Sequence, residues 1–331
     1  MAFFVLSDDL TGAAGVGSMV DCSKTVAVNL DRFERELVGE FACIALNLEI
    51  RERSEDEAAR RLALALDFVG GHQVGIRIDS ALRGHVGMLV AAMVERGDVL
   101  VTDTIPEYGR RTLSGRTMIG SQHRDIESLL APIRRQRKDR RVELADSETY
   151  DDLDVLARRC IRDGLIPADP GPLVARVARA KLGLDPVTPE RPRGGAKRVA
   201  FVVGTRDPQT QKQVHRMEEL GVPVQKPGIK RAEEVDIFAF SVEKDGVLVT
   251  GEFLQFLADY DALVLSGGAT ANYILARSGF RYLVSDEQVQ PLVSSASVKG
   301  GLFDGKRVVL KGGFIGDDNT YKTILDWLRK T

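Results

Sequence analysis

Short apolar runs alternate with helical patterns along this chain, and that alternation limits the fold more than any motif does. Residues 2–6, 25–30, 41–48, 74–79 and 99–103 are each short and rich in Val, Ile, Leu or Phe. Parallel strands buried on both faces have this composition. Between them, residues 54–68 read as a helix. Ser54 and Glu57 form a capping box there, and Leu62, Leu64, Leu66 and Phe68 supply the apolar face. Residues 86–94 make a second, more apolar helix. Strand and helix in turn imply an α/β sheet with mostly parallel strands.

The middle of the chain is helical, with amphipathic, Arg-rich segments at 151–162 and 173–182. Residues 184–195 then hold three prolines and two glycines, the composition of a linker. A chain of 331 residues suits about two domains, and the linker sets them at 1–185 and 196–331. The second domain repeats the alternation. A strand at 198–203 ends in Gly204-Thr205, and a helix follows at 210–220. A strand at 262–265 runs into Ser266-Gly267-Gly268-Ala269-Thr270 and a helix at 271–277. A strand at 307–310 ends in Lys311-Gly312-Gly313, and 321–328 closes the chain as a helix. The expected architecture is two α/β domains with mostly parallel sheets and a crevice between them.

Composition excludes several function classes. A net charge of −2 gives no reason to expect nucleic acid or an anionic membrane as partner. The basic run from Arg134 to Arg141 reads as a solvated helix end or loop. Cys22, Cys43 and Cys160 are dispersed and odd in number, so reduced thiols in a cytoplasm are expected in place of a disulfide frame or zinc site. No basic-then-apolar leader and no apolar run of about 18 residues occurs.

Candidate chemistry gathers at the strand ends. Asp8-Asp9-Leu10-Thr11-Gly12 follows the first strand, at the sheet edge where open α/β proteins keep their ligands. Two adjacent carboxylates repel each other, which calls for a metal, a cation or a substrate hydroxyl. Asp79, Ser80, Arg83 and His85 crowd another strand end. Arg83 suits either a substrate carboxylate or an ion pair with Asp79. Arg51 is a second cation near this edge, or a solvated charge in its Arg/Glu-rich loop. Tyr108-Gly109-Arg110 sits at a further strand end. His123 has no partner spacing and reads as a surface or packing residue.

The second half carries three glycine turns, at Gly204-Thr205, Ser266 to Thr270 and Lys311 to Gly316. Glycines let backbone N–H groups approach a phosphate, so three turns on one edge suggest a nucleotide. No GxGxxG follows a strand. Gly300 to Arg307 nearly spells a P-loop, but Arg307 stands where Ser or Thr binds Mg2+, and the segment precedes a strand. Carboxylates with Arg in one half and glycine turns in the other fit phosphoryl transfer, which needs positioning, charge neutralisation and a base.

In order along the chain, these segments resemble the four-carbon acid sugar kinase family, long catalogued as a domain of unknown function. The resemblance rests on Ser7-Asp8-Asp9-Leu10-Thr11-Gly12-Ala13, Arg51, Ile78-Asp79-Ser80-Ala81-Leu82-Arg83-Gly84, and Pro106 with Gly109-Arg110. It continues through Gly204-Thr205 with Thr210 and Gln211, Ser266-Gly267-Gly268-Ala269-Thr270-Ala271, and Lys311-Gly312-Gly313-Phe314.

The resemblance implies an N-terminal acid-sugar-binding domain, a C-terminal ATP-binding domain, and Mg2+- and ATP-dependent phosphorylation of a tetronate or 3-oxo-tetronate at the 4-hydroxyl. Such an enzyme is a phosphotransferase with an alcohol group as acceptor, with a homo-oligomer left open. Asp8 and Asp9 would be the catalytic candidates. Asp9, Arg51, Asp79, Ser80, Arg83 and Gly84 would bind substrate, and Thr205, Gly267, Gly268, Ala269, Thr270 and Gly313 would bind ATP. The residues that would hold the metal are not identified by the resemblance. The chain departs from the family where Arg77 replaces a usual Lys, Ala81 a Thr, and Ala269 an Asp, and around Gln290-Pro291-Leu292-Val293. Ala269 motivates the alternative of a non-catalytic relative that binds sugar acid or nucleotide without phosphoryl transfer. A kinase of another small hydroxy acid or polyol is a third reading.

Overall fold

The computed structural model describes residues 1–21, 23–119, 122–184, 195–227, 233–240 and 249–330. Cys22 and nearly all of the expected linker, 185–194, lie outside the described residues. The chain divides into two compact units, Met1–Val187 and Thr188–Thr331.

In the first unit, strands β1 (Phe3–Ser7), β2 (Thr25–Asn29), β3 (Cys43–Asn47), β4 (Gln73–Arg77), β5 (Val99–Val101), β9 (Val142–Leu144) and β10 (Ile166–Asp169) form one layer. Their order is β2-β3-β1-β4-β10-β5-β9 and every pairing is parallel. The crossovers carry helices α1 (Leu10–Val20), α2 (Leu37–Glu40), α3 (Glu55–Val69), α4 (Val86–Val94), α5 (Glu127–Gln136), α6 (Tyr150–Asp163) and α7 (Pro172–Leu182). Strands β6 (Arg110–Leu113), β7 (Arg116–Ile119) and β8 (Gln122–Asp125) form a separate antiparallel meander.

The second unit holds β11 (Val199–Val203), α8 (Pro208–Glu219), β12 (Val224–Gln225), β13 (Val235–Ala239), α9 (Gly251–Ala258), β14 (Ala262–Ser266), α10 (Gly268–Ser278), β15 (Tyr282–Gln290), β16 (Val293–Lys299), β17 (Arg307–Lys311) and α11 (Thr320–Arg329). Its order is β12-β13-β11-β14-β17-β16-β15. The first five strands are parallel, and β16 and β15 add on antiparallel. The fold is thus α/β with mostly parallel sheets.

Local chemistry explains these elements. Phe3, Phe4, Val5 and Leu6 are all at most 1% exposed, as a central strand requires, so no polar alternation marks β1. Ser54 caps α3, accepting the Glu57 N–H at 3.4 Å. The expected box is only half made, because the Glu57 carboxylate takes Arg53 at 2.7 Å instead. Arg134 and Arg135 fall in the last turn of α5, and the rest of the basic run follows as loop. Cys43 and Cys160 are buried free thiols, and burial pushes both up to about 12. Among the described residues no helix is long and apolar enough to cross a membrane.

Several elements differ from the sequence expectation. Helix α1 is absent from it because Gly12, Gly15 and Gly17 weaken helix propensity by about 1 kcal/mol each relative to Ala. Burial of nearly the whole helix outweighs that cost. The meander is written in Arg and Thr without an apolar run, and β10 contains Pro167. Helix α10 begins at Gly268, inside the glycine turn and not after it.

Candidate functional site

Parallel registry sets one lateral row at the C-terminal edge of the first sheet: Asn29, Asn47, Ser7, Arg77 and Asp169. The residues just beyond this row carry the charge. Leaving β1, the backbone turns at Asp9, which is extended (φ −143°, ψ 161°) and caps α1. Its carboxylate accepts the Gly12 N–H at 2.7 Å and the Thr11 hydroxyl at 2.9 Å. Such a cap contributes about 1 kcal/mol and favours the ionised form.

Three carboxylates and three guanidinium groups meet here. Arg51 donates through Nε and Nη2 to Asp8 at 2.7 and 2.9 Å, and through Nη1 to Asp9 at 2.7 Å. Its Nη2 also stands 3.0 Å from Asp79. Arg77 reaches Asp8 at 3.1 Å and Asp9 at 3.3 Å from the next strand. Arg83 grips Asp79 with Nε at 2.8 Å and Nη2 at 3.1 Å. Asp79 also accepts the backbone N–H groups of Ala81 and Arg83. Asp8 and Asp79 are almost fully buried, while the Arg83 side chain is 53% exposed. Arg83 is therefore the cation of the cluster that faces solvent.

The electrostatics separate the paired acids. Burial pushes Asp8 upward, the Asp9 charge adds to that, and Arg51 and Arg77 only partly oppose it. Asp9 is desolvated too, yet Arg51, Arg77 and the Gly12 N–H together hold it below its ordinary value. Asp79 is also desolvated, but its hydrogen bond from Arg83 and the charges of Arg51 and Arg77 hold it far below. The same three acids raise Arg51 against its own desolvation. The pair thus keeps Asp9 ionised beside an Asp8 whose charge burial disfavours, and an ionised carboxylate at a strand end can order a hydroxyl and accept its proton.

Around the cluster, Gly84 has φ +69°, and a Cβ there would stand 3.2 Å from the Arg51 Cα, so the loop after β4 packs directly on Arg51. The Ser80 hydroxyl is buried and has no hydrogen-bond partner among the described residues. The Ser80 carbonyl accepts from Arg110, which also reaches Asp103 at 3.3 Å. Burial raises Asp103 to about 6, although Arg110 and the Thr117 hydroxyl oppose that. Sequence reasoning left Arg77 and Arg110 without a role. A lone charge closing the apolar strand β4 is the signal for Arg77. His85 contacts the Arg53 carbonyl, and His123 lies exposed on β8; neither side chain joins the cluster.

In the second unit, registry aligns Val203, Ser266 and Lys311 across β11, β14 and β17. The three glycine turns therefore leave one edge side by side. A Cβ on Gly204 would lie 2.2 Å from the Thr270 hydroxyl, and one on Gly313 would lie 2.7 Å from that of Thr205. Gly267, at φ +99°, would meet the Thr205 Cβ at 3.2 Å. Thr205, Gly267, Thr270 and Gly313 are thus mutual neighbours. Gly268 and Ala269 open α10, and Ala269 is exposed. The Gly267 N–H binds the Lys311 carbonyl at 2.8 Å, tying two turns together. Lys311 itself is fully buried, and burial pushes its amine down to about 7 despite the Asp207 charge. Among the described residues, no three His, Cys, Asp or Glu side chains cluster as a metal cage.

A family model described as a sugar-binding N-terminal domain matches residues 3–127. The chain is 25% identical over 351 aligned positions to a D-erythronate kinase of Heliobacterium modesticaldum (strain ATCC 51547 / Ice1), covering 86% of this chain and 75% of that protein. Two crystal structures match in fold alone. A Salmonella typhimurium LT2 protein, provisionally named a tRNA synthase, superimposes with a TM-score of 0.72 at 15% identity over 98% of both chains. Haemophilus influenzae protein HI1011, of family DUF1537, gives 0.64 at 16% identity over 98% of this chain and 100% of its own.

Proposed function

From the premise that this chain belongs to the four-carbon acid sugar kinase family, we propose that it transfers the γ-phosphoryl group of ATP to a small sugar acid. The acceptor is a tetronate or 3-oxo-tetronate, and the phosphorylated group its 4-hydroxyl. The observation that carries this reading is the paired Asp8 and Asp9, clamped by Arg51 at the tip of β1 within the segment that resembles sugar-binding domains.

In this reading the first unit binds the acceptor. The ionised Asp9 orders the attacking hydroxyl and takes its proton. Arg83, the most exposed cation of the cluster, receives the substrate carboxylate with Arg51 behind it. Asp79, Ser80 and Gly84 shape the loop that closes around the acid. The second unit binds ATP, with Gly267, Gly268, Ala269, Thr270 and Gly313 against the phosphates and Thr205 beside them. Phosphoryl transfer asks for positioning and charge neutralisation more than covalent chemistry, and both edges supply it.

Mg2+ fits these residues as an ion carried on the nucleotide. Magnesium in such sites takes one or two carboxylates and completes its shell with phosphate and water, so the lack of a cage among the described residues is no obstacle. Asp207, next to Gly313, is the carboxylate that would hold it. Bound there, Mg2+ neutralises charge on the transferring phosphates.

The test is ADP release from Mg-ATP with a panel of four-carbon sugar acids. Turnover with at least one acid is expected; no turnover and no binding of ATP would sink the proposal. Ala269 favours a second reading, a relative that binds without transfer. Acid and ATP both binding, with no ADP formed, would select it.

A further inference from the structure

Lys311 ends β17 fully buried. Its ammonium donates to the carbonyls of Gly312 at 2.8 Å, Gly313 at 3.2 Å and Ile315 at 3.2 Å, and to the Thr210 hydroxyl at 3.1 Å. Thr210 passes its own hydroxyl hydrogen to the Gly313 carbonyl. Every acceptor is neutral, so the positive charge has no hydrogen-bonded carboxylate to compensate it. Buried cations are ordinarily paired.

The turn itself has a matching peculiarity. In a trans peptide the carbonyl and the following N–H point in opposite directions. Carbonyls 312 and 313 face the ammonium, so the N–H groups of Gly313 and Phe314 face away from it. Neither N–H has a protein acceptor among the described residues. Successive free N–H groups backed by a positive charge form an anion-binding concavity. Gly313 is held against Thr205 and Asp207, where a Cβ would lie 2.7 Å from the Thr205 hydroxyl.

We infer that Lys311 is a positioning residue for nucleotide phosphate: it draws the carbonyls of turn 312–315 inward, so that the Gly313 and Phe314 N–H groups are presented to a phosphate oxygen. This rests on the reading of the second unit as the ATP site. No contact between Lys311 and ATP is required. The side chain acts through the turn and supplies the charge beneath it.

The experiment is calorimetric titration of Mg-ATP into the full chain, alongside steady-state kinetics, for wild type, Lys311→Met and Thr210→Val. Thermal unfolding establishes that each variant is folded. Lys311→Met is expected to weaken ATP binding and raise KM for ATP roughly tenfold or more, with KM for the acid unchanged. Thr210→Val, which removes one prop of the Gly313 carbonyl, is expected to move the same constant in the same direction by less. If Lys311→Met does not fold, Thr210→Val decides. A folded variant that binds ATP as tightly as wild type overturns this inference alone. No heat with the wild type overturns the ATP site and this inference together.

Discussion

Gly12 lies directly beneath Arg77: a Cβ at Gly12 would stand 2.5 Å from the Arg77 guanidinium carbon. The cap of α1 and the end of β4 are therefore fitted to each other through the absence of a side chain. Gly12→Ala should drive Arg77 off Asp8 and Asp9 and destabilise the first unit by about 1–3 kcal/mol. Urea denaturation measures this. A midpoint equal to wild type would show that Arg77 relocates freely.

Arg51 neutralises three buried acids, so its removal should be felt in stability before function. Arg51→Met should lower unfolding free energy by about 3–5 kcal/mol at neutral pH, the usual consequence of stranding a buried charge. Arg51→Lys should recover only part of this, because one ammonium cannot serve Asp8, Asp9 and Asp79 in the fork geometry. Equal stability of the Lys and Met variants would count against the fork.

Asp8 and Asp9 should not be equivalent in turnover. Asp9 is the acid held ionised, so Asp9→Asn should reduce kcat by about 10²–10⁴, the range for loss of a general base. Asp8→Asn should cost less, since both Asp8 oxygens are taken up by the Arg51 fork and Arg77 and the proposed reaction gives the hydroxyl to Asp9. ADP release with a tetronate compares them, and wild-type turnover in Asp9→Asn would remove Asp9 from the role.

Acid should unfold this protein partly through Asp79. Its folded-state pKa lies well below the ordinary 3.8, so the unfolded chain binds the proton first as pH falls. The stabilisation is complete above the ordinary carboxylate range and is lost progressively below it, from about pH 5 down through the depressed folded value. Urea midpoints between neutral and strongly acid pH should fall less steeply in Asp79→Asn than in wild type. Parallel slopes would deny Asp79 that share.

Gly313→Ala places a methyl 2.7 Å from the Thr205 hydroxyl, on the nucleotide side of the proposed reaction. ATP affinity should weaken about tenfold, equivalent to about 1.4 kcal/mol, with acid binding untouched. Calorimetry with each ligand separately tests the split, and an effect on the acid alone would reverse the assignment.

Much of the fold was legible because buried parallel strands write themselves as apolar runs, and β1, β3 and β11 are of that kind. The meander β6–β8 was not, because its strands are polar and short. The hairpin β15–β16 alternates Ser and charge with Val, a weaker signal than a continuous run. At the first edge, the sequence pointed to Asp8, Asp9, Arg51, Asp79 and Arg83, since charge at a strand end is visible in one dimension. What it could not supply is pairing. That Arg51 spans three acids follows from β1 and β3 being neighbours and from the loop after β4 folding onto Arg51. Arg77 stood out only as a departure from the family and Lys311 only as the start of a glycine turn; their burial and partners were not visible in one dimension.

The carboxylates and guanidinium groups of the first edge cancel in number, and that has a kinetic meaning. A self-neutralised cluster casts little field into the surrounding water, so an acid approaching Arg83 is not drawn in from afar. Its association should proceed at the unsteered rate and respond weakly to ionic strength. In the proposed reading, an acid that reaches Arg83 competes with Asp79 for the guanidinium fork. Recognition in that reading is a competition among anions, and its selectivity resides in how well the newcomer matches the bonds that Asp79 makes to Arg83.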